Sequence, residues 1–174
     1  YRLSAYHPVP GLTYTASNGG KVHTAARMFL EGIDFNLVYF PLKHLGYKCV
    51  VGTVGELYAA LAHPKLLNVI LGISSKLDFD HVKELWMGIT VAAKEHGFEA
   101  VNLDLQPSNK GLFISLAATG EPSLLTDKRR MAAKSKDLLC ISGRLGAAYL
   151  GMQVLEKGRK EFEKTGQQPD MAPW

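Results

Sequence analysis

Cysteine is nearly absent from this chain: 174 residues hold only Cys49 and Cys140, far apart and in no Cys-x-x-Cys pair. That excludes a disulfide framework and a thiolate zinc site, and it predicts two buried free thiols in a reducing, cytoplasmic setting. The six histidines, His7, His23, His44, His63, His81 and His96, show no His-Glu-x-x-His or mixed Cys/His spacing, so a zinc centre has no support. Long apolar runs are missing as well. The longest, residues 66–73, is interrupted by Asn68 and is far shorter than the roughly 20 residues of a bilayer span, so no membrane partner is expected. Nor is charge of one sign concentrated. The formal net charge is +4, but only Lys128-Arg129-Arg130 forms a cluster, which argues against nucleic acid and for a small phosphorylated molecule. Internal repeats and low-complexity segments are absent. The chain opens on Tyr1 rather than methionine, which leaves an upstream targeting segment open.

What is present is an ordinary core composition. With 47% apolar and 21% charged residues, residues 1–174 are expected to form a single domain. Residues 1–20 carry the turn formers Pro8, Pro10, Gly11 and Asn18-Gly19-Gly20, and read as an extended arm ending in a hairpin-like turn. Residues 21–29 follow as a strand. From Pro41, well placed at a first helical turn, Leu42, Leu45, Cys49, Leu57 and Ala60 recur near the helical period, with Pro64 as the expected stop.

Residues 66–73 read as a buried strand. Val82, Leu85, Trp86, Ile89 and Ala93 place a second helix over residues 80–95, closed by His96-Gly97. Strands are expected at 98–105 and 112–119, then a linker over 120–136. The order strand-helix-strand-helix-strand-strand predicts an α+β fold, a mixed β-sheet with helices on one face.

Residues 130–151 join a basic turn, an apolar run at 138–141 and a glycine-punctuated turn, Ser142, Gly143 and Gly146, that opens a third helix carrying Leu145, Ala148, Tyr149, Met152 and Leu155. Such an order predicts a buried strand feeding a helix whose free N–H groups favour anions. It equally suits a strand-to-helix connection with no ligand.

Arg130-Met-Ala-Ala-Lys134-Ser-Lys-Asp137 and Ser142-Gly-Arg-Leu-Gly146 resemble the Arg-Ser-Gly-Ala-Lys-x-Gly-Asp and Thr-Gly-x-Leu-Gly signatures of the thiamine-monophosphate kinases, in the aminoimidazole ribonucleotide synthetase superfamily. Residues 30–35 resemble that family's Glu-Gly-Val-His-Phe block, and Leu45-Gly46-Tyr47-Lys48 its Leu-Gly-Tyr-Lys. The resemblance implies the superfamily's N-terminal, ATP-binding-type domain, a homodimer formed by pairing sheets, and ATP and Mg2+ as cofactors. It also implies that the family's C-terminal domain is not present in this chain.

Carried over residue by residue, the family's acidic motifs are mostly altered. Gly-Asp-Asp has no counterpart in residues 1–20, and Thr-Thr-Asp reads Ala25-Ala26-Arg27, which reverses the charge at a magnesium-ligand position. Asn-x-Ser-Asp reads Thr53-Val54-Gly55-Glu56. Gly-Gly-Asp-Thr-Thr reads Asn102-Leu103-Asp104-Leu105-Gln106, which keeps Asp104 and replaces a glycine that lets backbone approach phosphate with Leu103. The resemblance thus implies Glu56 and Asp104 as metal ligands, Asp104 as the catalytic carboxylate, and Leu103, Asp104 and Arg130 at ATP. It puts Asp34 at the substrate-contacting histidine.

Read without the resemblance, Glu56 suits an exposed helix surface, Asp104 a capped turn and Arg130 a solvated basic turn. Two functional expectations stand side by side: ATP-dependent phosphorylation of thiamine monophosphate to thiamine diphosphate with impaired turnover, or a degenerate, dimeric nucleotide-binding or scaffold domain. A selenophosphate synthetase-like or hydrogenase-maturation relative is a third.

Overall fold

A computed structural model describes residues 11–123 and 134–167. The chain divides into two compact units, Tyr1–Met131 and Ala132–Trp174. The first holds β1 (Gly11–Thr15), β2 (Lys21–Leu30), α1 (Leu42–Ala59), β3 (Ala62–Ser74), α2 (Phe79–Glu95), β4 (Ala100–Ser108) and β5 (Phe113–Pro122), and the second holds α3 (Ala147–Thr165). Strand order is β1-β2-β5-β3-β4. Every neighbouring pair is antiparallel except β3 and β4, which run parallel, as the α2 crossover between them requires.

Register fixes what each side of the sheet carries, because paired residues point the same way and neighbours along a strand point oppositely. Ala25, Ala118, Leu67 and Val101 form one row across β2, β5, β3 and β4, and Phe29, Ile114, Leu71 and Leu105 form another. Leu67, Leu71, Ile114 and Ala118 are fully buried, and together with Leu45, Val50, Val54 and Leu57 of α1 and Leu85 and Ile89 of α2 they make the core. Each large aliphatic side chain removed from water here contributes about 1.5–3 kcal/mol.

On the other side of the sheet the rows are Met28, Ser115, Ile70, Asp104 and Ala26, Ala117, Asn68, Asn102. Leu12 and Tyr14 of β1 pair with Thr24 and Val22, so they share that side, where Leu12, Tyr14, Met28 and Ile70 are all exposed. α1 and α2 therefore occupy one face, as the element order predicts.

Local chemistry sets the helix ends. Pro41 is extended and caps α1, its fixed φ suiting entry to a helix. At α2 the Asp78 side chain accepts the His81 N–H while His81 returns a bond to the Asp78 N–H, a capping box. That hydrogen bonding from His81 holds the Asp78 carboxyl below its ordinary range. Tyr47 donates to Glu95 at 2.6 Å and Tyr58 meets His96 Nδ1 at 2.9 Å, tying α1 to the end of α2.

Four expectations change. Pro64 does not stop α1, which ends at Ala59; it lies inside β3, at the irregularity where pairing with β5 shifts between Pro64 and Leu66, a place where a missing N–H is tolerated. The turn at 16–20 does close a hairpin, but the arm before it contributes a paired strand, β1. Residues 138–141 form no strand: Leu138, Leu139 and Ile141 are 90%, 95% and 65% exposed. A short apolar run becomes a strand only where a neighbour completes its ladder, and the described residues of this unit supply none. Cys140 is exposed in that stretch, whereas Cys49 is buried, and burial pushes the Cys49 thiol up to about 12. The third helix exists, but none of its residues is buried. No helix among the described residues is long and apolar enough to cross a membrane.

The closest approach of α1 to α2 depends on two glycines. A Cβ on Gly88 would strike the Lys43 carbonyl, and one on Gly46 would strike the backbone of Leu85 and Ile89, whereas a Cβ on Gly55 would meet open space. Helix propensity favours alanine at all three positions by about 1 kcal/mol. At Gly88 the clash is with backbone that cannot yield cheaply, so Gly88→Ala is expected to destabilise the protein by about 1–3 kcal/mol, and Gly55→Ala to stabilise it by about 0.5–1 kcal/mol. Urea unfolding of both variants measures the two signs; destabilisation by both, or by neither, contradicts the packing described.

Candidate functional site

Arg27 is carried by β2 on the helix-covered side of the sheet, in register with Leu116, Val69 and Leu103. Its Nη1 donates to the Gly52 carbonyl of α1 at 3.2 Å, and its guanidinium lies 5.9 Å from the centre of the Phe29 ring. Gly52 is a half-buried glycine whose missing side chain leaves room for that ring. Glu56 is half-buried and sits one helical turn further along the same face of α1. Thr53, in the same turn, is buried and donates its hydroxyl to the Cys49 carbonyl, which satisfies it inside the helix. Arg27 thus places a positive charge against the helix that carries Glu56.

Asp104 stands on the other side. It pairs with Ile70 on β4, is exposed, and accepts both of its hydrogen bonds from Gln106 Nε2 at 3.2 Å. Leu103 points the opposite way and packs against the core, so toward a ligand on the Asp104 side it offers backbone only. Glu56 and Asp104 are therefore held on opposite sides of one sheet, and no group of three His, Cys, Asp or Glu among the described residues could hold a metal ion. Magnesium needs a near-octahedral set of hard oxygen ligands. The described residues of one chain do not fit it.

Asp34 belongs to the tight turn after β2. Its carboxylate accepts the Leu30 N–H at 2.8 Å, its carbonyl accepts from Lys48 Nζ at 3.0 Å, and Gly32 takes a φ of +83° while donating to the Phe35 carbonyl. Phe35 is buried in the core and anchors the turn. The Asp34 carboxylate is thus engaged locally, and the turn presents Glu31 and Gly32 instead. Arg130 lies outside the described residues. The glycine turn at 142–146 does open a helix, with Gly146 at its N-cap in the left-handed region, where a residue without Cβ is favoured.

A feature not anticipated from the sequence lies where β3 and β4 end. A cleft of about 700 Å³ opens there, lined among others by Glu31, Ser74, Lys76, Ser108, Lys110 and Gly111. Its signal in the sequence is a matched pair of tripeptides, Ser74-Ser75-Lys76 and Ser108-Asn109-Lys110, each beginning at the last residue of a strand. Nothing in composition says that these two segments meet; only the parallel register does.

Comparison with known proteins agrees with the fold. Residues 12–121 match the family model "AIR synthase related protein, N-terminal domain". The thiamine-monophosphate kinase of Bacillus subtilis (strain 168) is 24% identical over 142 residues, 82% of this chain and 44% of that protein. The thiamine-monophosphate kinase of Rhodopirellula baltica is 27% identical over 136 residues, 76% and 42% respectively. The chain spans less than half the length of either relative. Among solved structures, thiamine monophosphate kinase from Aquifex aeolicus superposes with a TM-score of 0.60 at 21% identity, covering 68% of this chain and 39% of that one. The structure of AaThiL complexed with AMPPCP and TMP superposes equally well, with a TM-score of 0.60 at 21% identity, covering 68% and 38%. With the mixed sheet, the one-sided helices and a match spanning β1 to β5, the chain belongs to the AIR synthase related N-terminal domain family.

Proposed function

We propose that this chain is the nucleotide-binding domain of a thiamine-monophosphate kinase-like protein in which transfer of the ATP γ-phosphate to thiamine monophosphate, giving thiamine diphosphate and ADP, is impaired. The observation that carries the reading is Arg27, a guanidinium bonded to the Gly52 carbonyl where the family's motif has an acidic residue. Phosphoryl transfer depends on positioning and on neutralising developing negative charge, and a cation bonded to the helix that carries Glu56 opposes recruitment of a divalent ion there. In this reading Arg130 braces the ATP phosphates, with Asp104 and the Leu103 backbone lining the nucleotide, and the turn containing Asp34 faces the substrate. Its setting is cytoplasmic.

The scaffold alternative draws on the open side of the sheet. Leu12, Tyr14, Met28 and Ile70 are exposed there on three strands, β1, β2 and β3, and an apolar sheet face left open favours association. The protein is a homodimer through this face in both readings. Sedimentation is expected to give a dimer at micromolar concentration, and a monomer there removes the dimer from the account.

The nucleotide site has its own test. A charge-assisted contact to phosphate contributes roughly 1.5–3 kcal/mol, so Arg130→Ala is expected to weaken ATP binding by about tenfold to a hundredfold, while turnover of thiamine monophosphate by the unaltered protein stays below about 1 per second. Equal ATP affinity in both proteins assigns the basic turn to solvated surface, and faster turnover restores an intact kinase.

A further inference from the structure

Parallel strands joined by a crossover helix leave a crevice at their C-terminal ends, where the two following loops diverge. In this fold only β3 and β4 are parallel among the described strands, and their last paired residues are Ser74 and Ser108. Beyond each serine the chain continues in the same chemistry, Ser75-Lys76 on one side and Asn109-Lys110 on the other. Both lysines line the cleft. Two cations, two register-matched hydroxyls and an asparagine amide thus converge on one volume of about 700 Å³, within the range of small-molecule sites.

The third wall is fixed by a long-range tie. Glu31 Oε2 accepts the Leu112 N–H at 2.8 Å, and Gly111, at a φ of +101°, lies so close that a Cβ there would come within 2.6 Å of the same carboxylate. The loop after β4 is therefore tied to the turn after β2, and Lys110 is the residue next to that glycine. On the other loop the Leu77 N–H donates to the Ser74 carbonyl at 3.0 Å, which turns the chain at Ser75-Lys76. On the cleft side of β4, Ser108 Oγ accepts the Lys110 N–H at 3.2 Å, which leaves its own hydroxyl proton to donate. Glu31 is the one carboxylate among the lining residues, and with one oxygen already bonded it offers the other to a hydroxyl or amine.

We propose that this cleft is a binding site for a phosphorylated small molecule, with Lys76 and Lys110 on the phosphate oxygens, Ser74 and Ser108 as hydroxyl partners, and Glu31 reading a polar group on the body of the ligand. The site is built from β3, β4 and the turn after β2 alone. It requires neither Arg130 nor a divalent ion, and it shares the turn after β2 with the substrate side of the proposed kinase reading.

The test uses the full chain, labelled with 15N, in magnesium-free and ATP-free buffer, titrated with inorganic pyrophosphate at constant ionic strength. Saturable amide shifts confined to residues 74–76, 108–111 and the turn at 31–36 are expected. Lys76→Gln and Lys110→Gln are each expected to weaken the fitted affinity about fivefold or more, since each removes one charge-assisted contact, whereas Lys94→Gln on α2 leaves it unchanged. Both test lysines are on the surface, and an undisturbed spectrum of each variant shows that folding is intact. Shifts that rise linearly and spread over lysines throughout the chain, or an affinity unaltered when both lysines are replaced, would overturn the proposal.

Discussion

The structure depends on β5. It is paired along nearly its whole length on both edges, antiparallel to β2 on one side and to β3 on the other, and its side chains alternate without exception between the core and the open side from Phe113 to Gly120. Because a slip of one residue would turn Ile114, Leu116 and Ala118 out of the core, this strand sets the register of both neighbours. Once β5 is placed, β2 must carry Arg27 toward α1 and β3 must carry Ile70 away from it. The chemistry of the two faces follows from that one alignment.

The same alignment keeps Glu56 and Asp104 apart within one chain. Glu56 comes from a helix packed on the core side, and Asp104 from an edge strand on the open side, so a sheet one backbone thick lies between them. On the core side the Arg27 guanidinium takes the Gly52 carbonyl of α1, one helical turn before Glu56. At the other end of the sheet the polarity is different. There the ends of the parallel strands gather two lysines and two serines around a preformed cleft, with Glu31 spent partly on the backbone of Leu112. On the proposed reading, anion recognition is better provided for at the strand ends than around Glu56 and Asp104.

How far the sequence reveals this can be argued from particular residues. The helical period through Leu42, Leu45, Cys49 and Leu57 and the alternation in residues 112–119 reflect burial on one face, and burial is what the fold preserves, so α1, α2 and the sheet were legible. Pro64 was misread because a proline inside a strand is tolerated at an irregularity that only pairing reveals. Residues 138–141 were misread because an apolar run signals burial without saying against what. Arg27 was legible as a reversed charge, but its bond to Gly52 was not, since 25 residues separate them in the chain. The Ser-x-Lys pair was invisible as a site because 33 residues, α2 included, intervene between Ser74 and Ser108, and their meeting is a consequence of parallel register.

On the proposed reading, Arg27 opposes magnesium near Glu56, so any ATP binding is expected not to depend on a divalent ion. Calorimetric titration of the full chain with ATP, once with magnesium and once with the metal chelated, measures it directly. Affinities that agree within about threefold, a difference of well under 1 kcal/mol, are the result expected. An affinity that rises about thirtyfold or more when magnesium is added would contradict the account and would mean that the remaining carboxylates still assemble a metal site.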